Sequence, residues 1–156
     1  SPRLNWSTAL TAREISQALL RPGAVHPRDE ITWPKDWRTL VRQGELTTLW
    51  LNHSDAKGRA QFIGMRWTNR NNLKSVALEA PSERFRAWLG PTRLRSTRLA
   101  LSPLSANSGT WRITGIGNGH GVGMCQWGAK TLGETGASAR RILAHYYPDA
   151  RLSRLW

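Results

Sequence analysis

ELTTLWLNHSDAKGRAQFIGMRWTNRNNLKSVALEA, residues 45–80, decides the fold class. ELTTLWLN (45–52), AQFIGMRW (60–67) and LKSVALEA (73–80) are short apolar runs with period-two character, and the turn-formers of HSDAKGR and TNRNN separate them. Such spacing predicts antiparallel strands. Side chains alternate across a strand, so Ile63, Met65 and Trp67 are expected to share one face.

Working outward, Thr11 and Glu14 form a capping box. Ile15, Ala18 and Leu19 follow on one helical face, and Arg21-Pro22-Gly23 ends the run, predicting a helix over 12–20. RPGAVHPRDEITWP (21–34) reads as a proline-punctuated connector. Downstream, PSERFRAWLG (81–90) predicts a short helix with Phe85, Trp88 and Leu89 on its stripe and Gly90 as its stop. TRLRSTRLALS (92–102) and TWRITGIG (110–117) return to strand. VGMCQWGAKTLGE (122–134) and SARRILAHYY (138–147) predict two last helices, the second capped by Ser138 and stopped by Pro148. The sum is an α+β domain: an antiparallel sheet or partial barrel, an N-terminal helix, and two C-terminal helices after a glycine-rich loop.

At 156 residues, without repeats or low-complexity tracts, the chain is a single domain able to bury about two thirds of its unfolded surface. The formal net charge of +13 comes from 23 Lys and Arg against 10 Asp and Glu. It favours an anionic polymer, whether nucleic acid, acidic membrane or bacterial wall glycan. Nine tryptophans suit either a core or flat platforms for sugars and bases. One cysteine excludes an internal disulfide. No apolar run approaches the roughly 18 residues of a membrane span. The chain opens on Ser1 rather than methionine, so a leader or a preceding segment is expected to be missing.

GIGNGHGVGMCQWGAK (115–130) concentrates the candidate chemistry. Gly115, Gly117, Gly119, Gly121 and Gly123 alternate, which leaves a backbone with almost no side-chain bulk on which a ligand could lie. The N–H groups of the following helix would point at that ligand, with His120 and Gln126 at the same mouth. A tight strand-to-helix crossing needs the same glycines, and spacing alone leaves both readings open. Neither a phosphate loop nor a dinucleotide fingerprint is present, because no Gly-Lys-Ser/Thr follows and the glycines alternate.

Cys125 with His120 as base has no matching acid or amide nearby, and a small packed cysteine is the alternative. His120, Cys125 and His145 lack a metal-ligand spacing. Tyr146 or Tyr147 could line a sugar groove, while Ile142 and Tyr146 at helical spacing also suit a core. Among the glutamates, Glu14 is accounted for by capping and Glu83 by a first helical turn, and no carboxylate has the apolar setting that would raise its pKa.

GIGNGHGVGMCQWGAKTLGETGASARRILAHYYPDARL (115–152) resembles the C-terminal signature of the stage II sporulation protein D family, also called SpoIID/LytB, with its GHGVGM-S-Q-x-GA core and I-L-x-HYYP ending. SERFRAWLGPTRLRST (82–97) is similar to the family's arginine-bearing segment and GRAQFIGMRW (58–67) to its Gly-Arg strand. The likeness is strong from Glu83 onward and fainter back to Asn5.

The resemblance implies action on peptidoglycan, by lytic transglycosylases that cleave peptide-free glycan to 1,6-anhydro ends, or as a non-catalytic wall binder or amidase enhancer. Carried over residue by residue, His120, Gln126, Gly119, Gly121 and Gly123 would bind the glycan; Arg86 and Arg95 match the arginine segment, and Tyr146 the HYYP ending. Cys125 stands in place of the family's serine, which argues against an essential thiol. The family's catalytic glutamate precedes an alanine-rich helix whose pattern is absent here; TALTAREISQALL (8–20) lacks it. The chain is therefore expected to be the C-terminal part of the domain, with no catalytic residue, metal or cofactor of its own. Glycan strands and other cell-wall enzymes, rather than nucleic acid, are its expected partners. Its expected location is extracytoplasmic, with any signal or anchor in the missing part.

Overall fold

The three central runs pair as expected. β2 (Glu45–Ser54), β3 (Ala60–Thr68) and β4 (Ser75–Pro81) form an antiparallel sheet in the order β2-β3-β4. Ile63, Met65 and Trp67 share its buried face with Val76, Leu78 and Ala80 of β4. Leu46 and Leu49, three apart, also both point inward. The register shifts between Leu46 and Thr48, and the extra residue of this bulge returns the second leucine to the core face. The computed structural model describes residues 5–25, 32–105, 108–119, 121 and 123–153.

A second antiparallel sheet has the order β1-β6-β5, formed by β1 (Asn5–Thr11), β6 (Thr110–Ile116) and β5 (Leu99–Pro103). Neither sheet closes into a barrel. β1 was not foreseen: NWSTALT has two inward apolar side chains, Trp6 and Leu10, among polar residues, and it is held by pairing with β6 from Asn5↔Ile116 to Thr11↔Thr110. The expected strand over 92–102 is confined to its second half. Residues 95–98 run irregularly because their backbone groups serve neighbours on three sides, as described below.

α1 (Ala12–Leu20) has both halves of the predicted capping box and buries Ile15, Ala18 and Leu19. α2 (Trp37–Gln43) was missed. It is seven residues long, its N-cap Asp36 makes no side-chain bond, and burial of Trp37 and Val41 stands in for the absent local signal. α3 (Ser82–Leu89) buries Phe85 and Trp88 and stops at Gly90, whose φ is +99°.

The tryptophans build the core: Trp6, Trp33, Trp37, Trp67, Trp88 and Trp111 are buried. Trp33 meets Trp37 and Trp88 edge-on, with ring centroids 4.9 and 6.2 Å away, the favoured geometry for aromatic pairs. The indole N–H groups of three find backbone or hydroxyl acceptors nearby, Trp33 on Glu79 O at 2.9 Å, Trp67 on Ser16 Oγ at 2.9 Å and Trp88 on Ala24 O at 2.8 Å, whereas Trp37 Nε1 is buried without a hydrogen-bond partner among the described residues.

α4 (Gln126–Glu134) and α5 (Ala139–Tyr146) form a hairpin in which no residue is buried. Ile142 and Tyr146, one turn apart on α5, lie against Gly133 and Gly128 of α4, where a Cβ would meet their side chains. Their helical spacing thus marks a helix-helix seam, not a place in the main core.

Candidate functional site

The glycine loop rests on a strut, Arg95–Arg98, between the two sheets. Ala60 N–H donates to Thr97 O at 3.0 Å, Ile116 N–H to Arg98 O at 3.0 Å and Gly119 N–H to Arg95 O at 2.7 Å. Ser96, fully buried, makes an isolated parallel bridge to Gly119. Its Oγ donates to Ile116 O at 2.8 Å and accepts from Trp6 Nε1 at 3.2 Å. A buried hydroxyl satisfied on both sides fixes its surroundings, so the loop leaves β6 along a set line.

The alternating glycines serve different ends. Gly115, still in β6, lies beneath the Trp6 indole, its cross-strand partner; it is a packing glycine. Gly117 and Gly119 have φ of +82° and +97°, with nothing among the described residues within 4 Å of a would-be Cβ. Backbone conformation, not crowding by the described residues, favours glycine there. Gly121 also has positive φ, and the Arg59 side chain lies across it, so that a Cβ would stand 2.6 Å from Cζ and Nε.

Arg59 is the residue that sequence reasoning missed. It follows Gly58 in the β2–β3 turn, where Asp55 Oδ1 accepts from the backbone N–H of Lys57 at 2.9 Å and of Arg59 at 2.8 Å. The turn sends its guanidinium onto the loop, where Nη1 donates to Thr97 Oγ1 at 3.3 Å. The Gly-Arg pair at the turn was the available signal.

Beyond the loop, Cys125 caps α4, its Sγ accepting from Gly128 N–H at 3.4 Å. This is the work of a serine or threonine at an N-cap. Gln126 begins α4 and is exposed beside the loop. Gly123 lies 3.4 Å, measured from a would-be Cβ, from the Tyr147 hydroxyl, which accepts from Met124 N–H at 3.0 Å. Tyr146 packs on Gly128, its ring edge-on to His145 at 4.9 Å.

The structure thus joins Gly119 to the backbone of Arg95 and lays Arg59 across Gly121, while Gly123 and Gln126 lie at the start of the α4–α5 hairpin. The Arg95 side chain is exposed there. Arg86 stands apart on α3, which packs against α1, β3 and β4. Its Nε is buried without a partner among the described residues, and burial pushes its pKa down. His120 lies outside the described residues.

Four of the described glutamates are engaged elsewhere, and Glu83 is exposed in the first turn of α3. Glu14 bonds Thr11 N–H at 2.8 Å and Arg93 Nη1 at 2.8 Å, and these contacts, led by the backbone hydrogen bond, hold its carboxyl below the usual range. Glu45 pairs with Arg70, Glu79 accepts from Asn52 at 2.8 Å and Glu134 pairs with Lys130 at 3.6 Å. Among the described residues no group of three or more His, Cys, Asp or Glu could hold a metal, and no helix is long and apolar enough to cross a membrane.

No family model matches the chain. It is 35% identical over 92 residues to the amidase enhancer of Bacillus subtilis, covering 59% of this chain and 13% of that protein. It is 49% identical over 47 residues to stage II sporulation protein D of Bacillus amyloliquefaciens, covering 30% of this chain and 14% of the relative. An uncharacterised protein of Brachyspira hyodysenteriae is 31% identical over 117 residues, 72% of this chain and 31% of its own length. The matches therefore span less than a third of each of these curated relatives. With the glycine loop and HYYP ending in place, this chain stands in a family relationship to the stage II sporulation protein D and amidase enhancer proteins.

Proposed function

We propose that the glycine loop and the Arg95–Arg98 strut bind the glycan strand of bacterial peptidoglycan, and that the chain is the gripping part of a lytic transglycosylase domain acting on peptide-free glycan. The observation that supports this most is the pair Gly117 and Gly119, where no described atom lies within 4 Å of a would-be Cβ, beside a fixed strut and just ahead of α4. Flat sugar rings with amide and hydroxyl groups suit such a surface. With Glu14, Glu45, Glu79 and Glu134 engaged elsewhere, an acid outside the described residues would protonate the glycosidic oxygen. As the glycosidic bond breaks, the sugar's own C6 hydroxyl would close on the anomeric carbon and give its proton to the now ionised acid, leaving a 1,6-anhydro end. This function belongs outside the cytoplasm, in the periplasm or the wall.

Co-sedimentation with purified, peptide-stripped sacculi tests the binding. The wild-type chain should pellet, and His120→Ala and Gln126→Ala should each release it; retention of both variants would remove the loop from the groove. For the reaction, the chain joined to the remainder of its domain should release fragments lighter by one water than hydrolytic products. Hydrolytic products would end the transglycosylase reading.

The name of the Bacillus subtilis relative favours a second reading, in which the chain stimulates an amidase without cutting glycan. Trp127, 73% exposed on α4, offers a contact for such an enzyme. In that case adding the chain accelerates a purified wall amidase on intact sacculi, and Trp127→Ala abolishes the acceleration while sedimentation is unchanged.

A further inference from the structure

Two arginines flank the β2–β3 turn near the loop, from different elements. The Arg59 guanidinium lies across Gly121 and is tied at Nη1 to Thr97. That bond uses one of its five donors, and among the described residues no carboxylate pairs with it. Arg98, at the other end of the strut, has Nε 3.7 Å from a would-be Cβ at Gly58, the residue before Arg59. Its side chain is exposed, and it borders a trough of about 620 Å³, within the size range of ligand clefts, which runs past Gly58, Ala100, Thr114 and Ser7 on the outer face of the β1-β6-β5 sheet. Ser7, Ala100 and Thr114 line this trough together with the larger Trp6, Leu99 and Ile116, and the Arg98 cation stands at its edge.

We infer that Arg59 and Arg98 form an anion subsite that reads the free lactyl carboxylate of N-acetylmuramic acid, with the glycan lying along the trough. The inference rests on the glycan-binding reading above and specifies its substrate class. A planar guanidinium lying across a glycine and tied at one nitrogen presents a fork that matches a carboxylate with two parallel hydrogen bonds. In glycan that carries stem peptides, the same lactyl carbonyl is an amide without charge. The pair therefore selects peptide-free strands by charge, in place of a steric block.

Isothermal titration of the 156-residue chain decides this. Three probes of equal length are compared: glucosamine–muramic acid oligomers with free lactyl carboxylates, the same oligomers as lactyl methylamides, and chitooligosaccharides. The wild-type chain should prefer the free acid by about 10- to 100-fold, the range of a charge-assisted hydrogen bond. Arg59→Gln should erase the preference while methylamide and chitooligosaccharide binding persist, and Arg59→Lys should restore only part of it. Arg98→Gln, at an exposed side chain outside the core, should reduce the preference with an unchanged melting curve, which guards against a folding defect in the Arg59 variants. Equal binding of acid and methylamide by the wild type overturns the subsite and leaves glycan binding standing. Failure to bind any of the three overturns both.

Discussion

The two sheets with their three helices, and the glycine loop with its helical hairpin, use the same residue types to opposite ends. In the first region glycine makes room for tryptophan. Gly64 lies under Trp50 and Gly115 under Trp6, each pair facing across neighbouring antiparallel strands, so the indole covers a backbone that has no side chain. In the second region Gly117 and Gly119 make room for nothing within the described molecule, and Trp127 is 73% exposed. The first region buries six of its tryptophans in the core, while the second leaves Trp127 exposed on α4. Binding surface and core can thus be told apart even where composition cannot separate them.

Two tryptophan variants should separate the regions most widely. Trp67→Ala empties a fully buried site and removes the hydrogen bond to Ser16, and should cost about 3–5 kcal/mol in guanidinium unfolding. Trp127→Ala should stay within about 0.5 kcal/mol. A comparable loss in both would mean that the hairpin is packed in solution against something, and the contrast would fail.

Two glycine variants test the same division at smaller cost. Gly115→Ala drives a methyl into the Trp6 ring and to 2.8 Å from Arg98 O, and overpacking of this kind costs about 1–3 kcal/mol. Gly117→Ala meets no atom, so it should carry only the left-handed backbone penalty of about 1–2 kcal/mol. Crystal structures of the two variants should show a displaced indole in the first and an altered loop path in the second. An unmoved Trp6 would remove the packing explanation for Gly115.

Within the second region, Tyr147→Phe deletes the hydroxyl that accepts from Met124 N–H. The contact is exposed, so the loss should be about 0.5–1 kcal/mol. Faster amide exchange confined to residues near the loop and α4, with the sheets unchanged, is the expected readout. Uniform acceleration throughout the chain would show that hairpin and sheets open as one unit.

Legibility in the sequence followed the range of the interaction that forms each element. The β2–β4 meander, α1 and α5 are fixed by local signals: alternation with turn residues, the Thr11–Glu14 box and the Ser138 cap, whose Oγ accepts from Arg141 N–H at 3.3 Å. β1 and α2 have no such signal. β1 exists through a partner a hundred residues away, and α2 through two buried side chains. The site divides in the same way. Its glycines, Gln126 and Arg95 fall in one contiguous motif or a recognisable segment. Arg59 reaches the loop only because the β2–β3 turn folds back on Gly121, a contact between residues 62 apart in sequence by the numbering. Arg86 looked comparable to Arg95 as an arginine in the matched segment, yet its helix carries it away from the loop.

The smallest effect concerns how the two regions use charge. Glu14 holds α1 to the segment after α3 through Arg93 and accepts from Thr11 at its own helix start. In the hairpin, by contrast, Lys130 and Glu134 pair within one helix, both side chains more than half exposed. Glu14→Gln keeps an acceptor for the cap but discards the charge. Because the Glu14 side chain is 38% exposed, solvent screening limits the loss to about 0.5 kcal/mol. Its folded pKa lies below the unfolded one, so the charge contributes fully above the ordinary glutamate value of about 4.3. That contribution fades as the pH falls through the lower folded value. The stability difference between wild type and Glu14→Gln should therefore be constant near neutrality and close towards zero in acid. A difference that persists unchanged at low pH would assign the effect to cap geometry and leave the Glu14–Arg93 tie without weight. Lys130→Gln should show no comparable pH-dependent change in global stability, because its pair spans a single helical turn and joins no two elements.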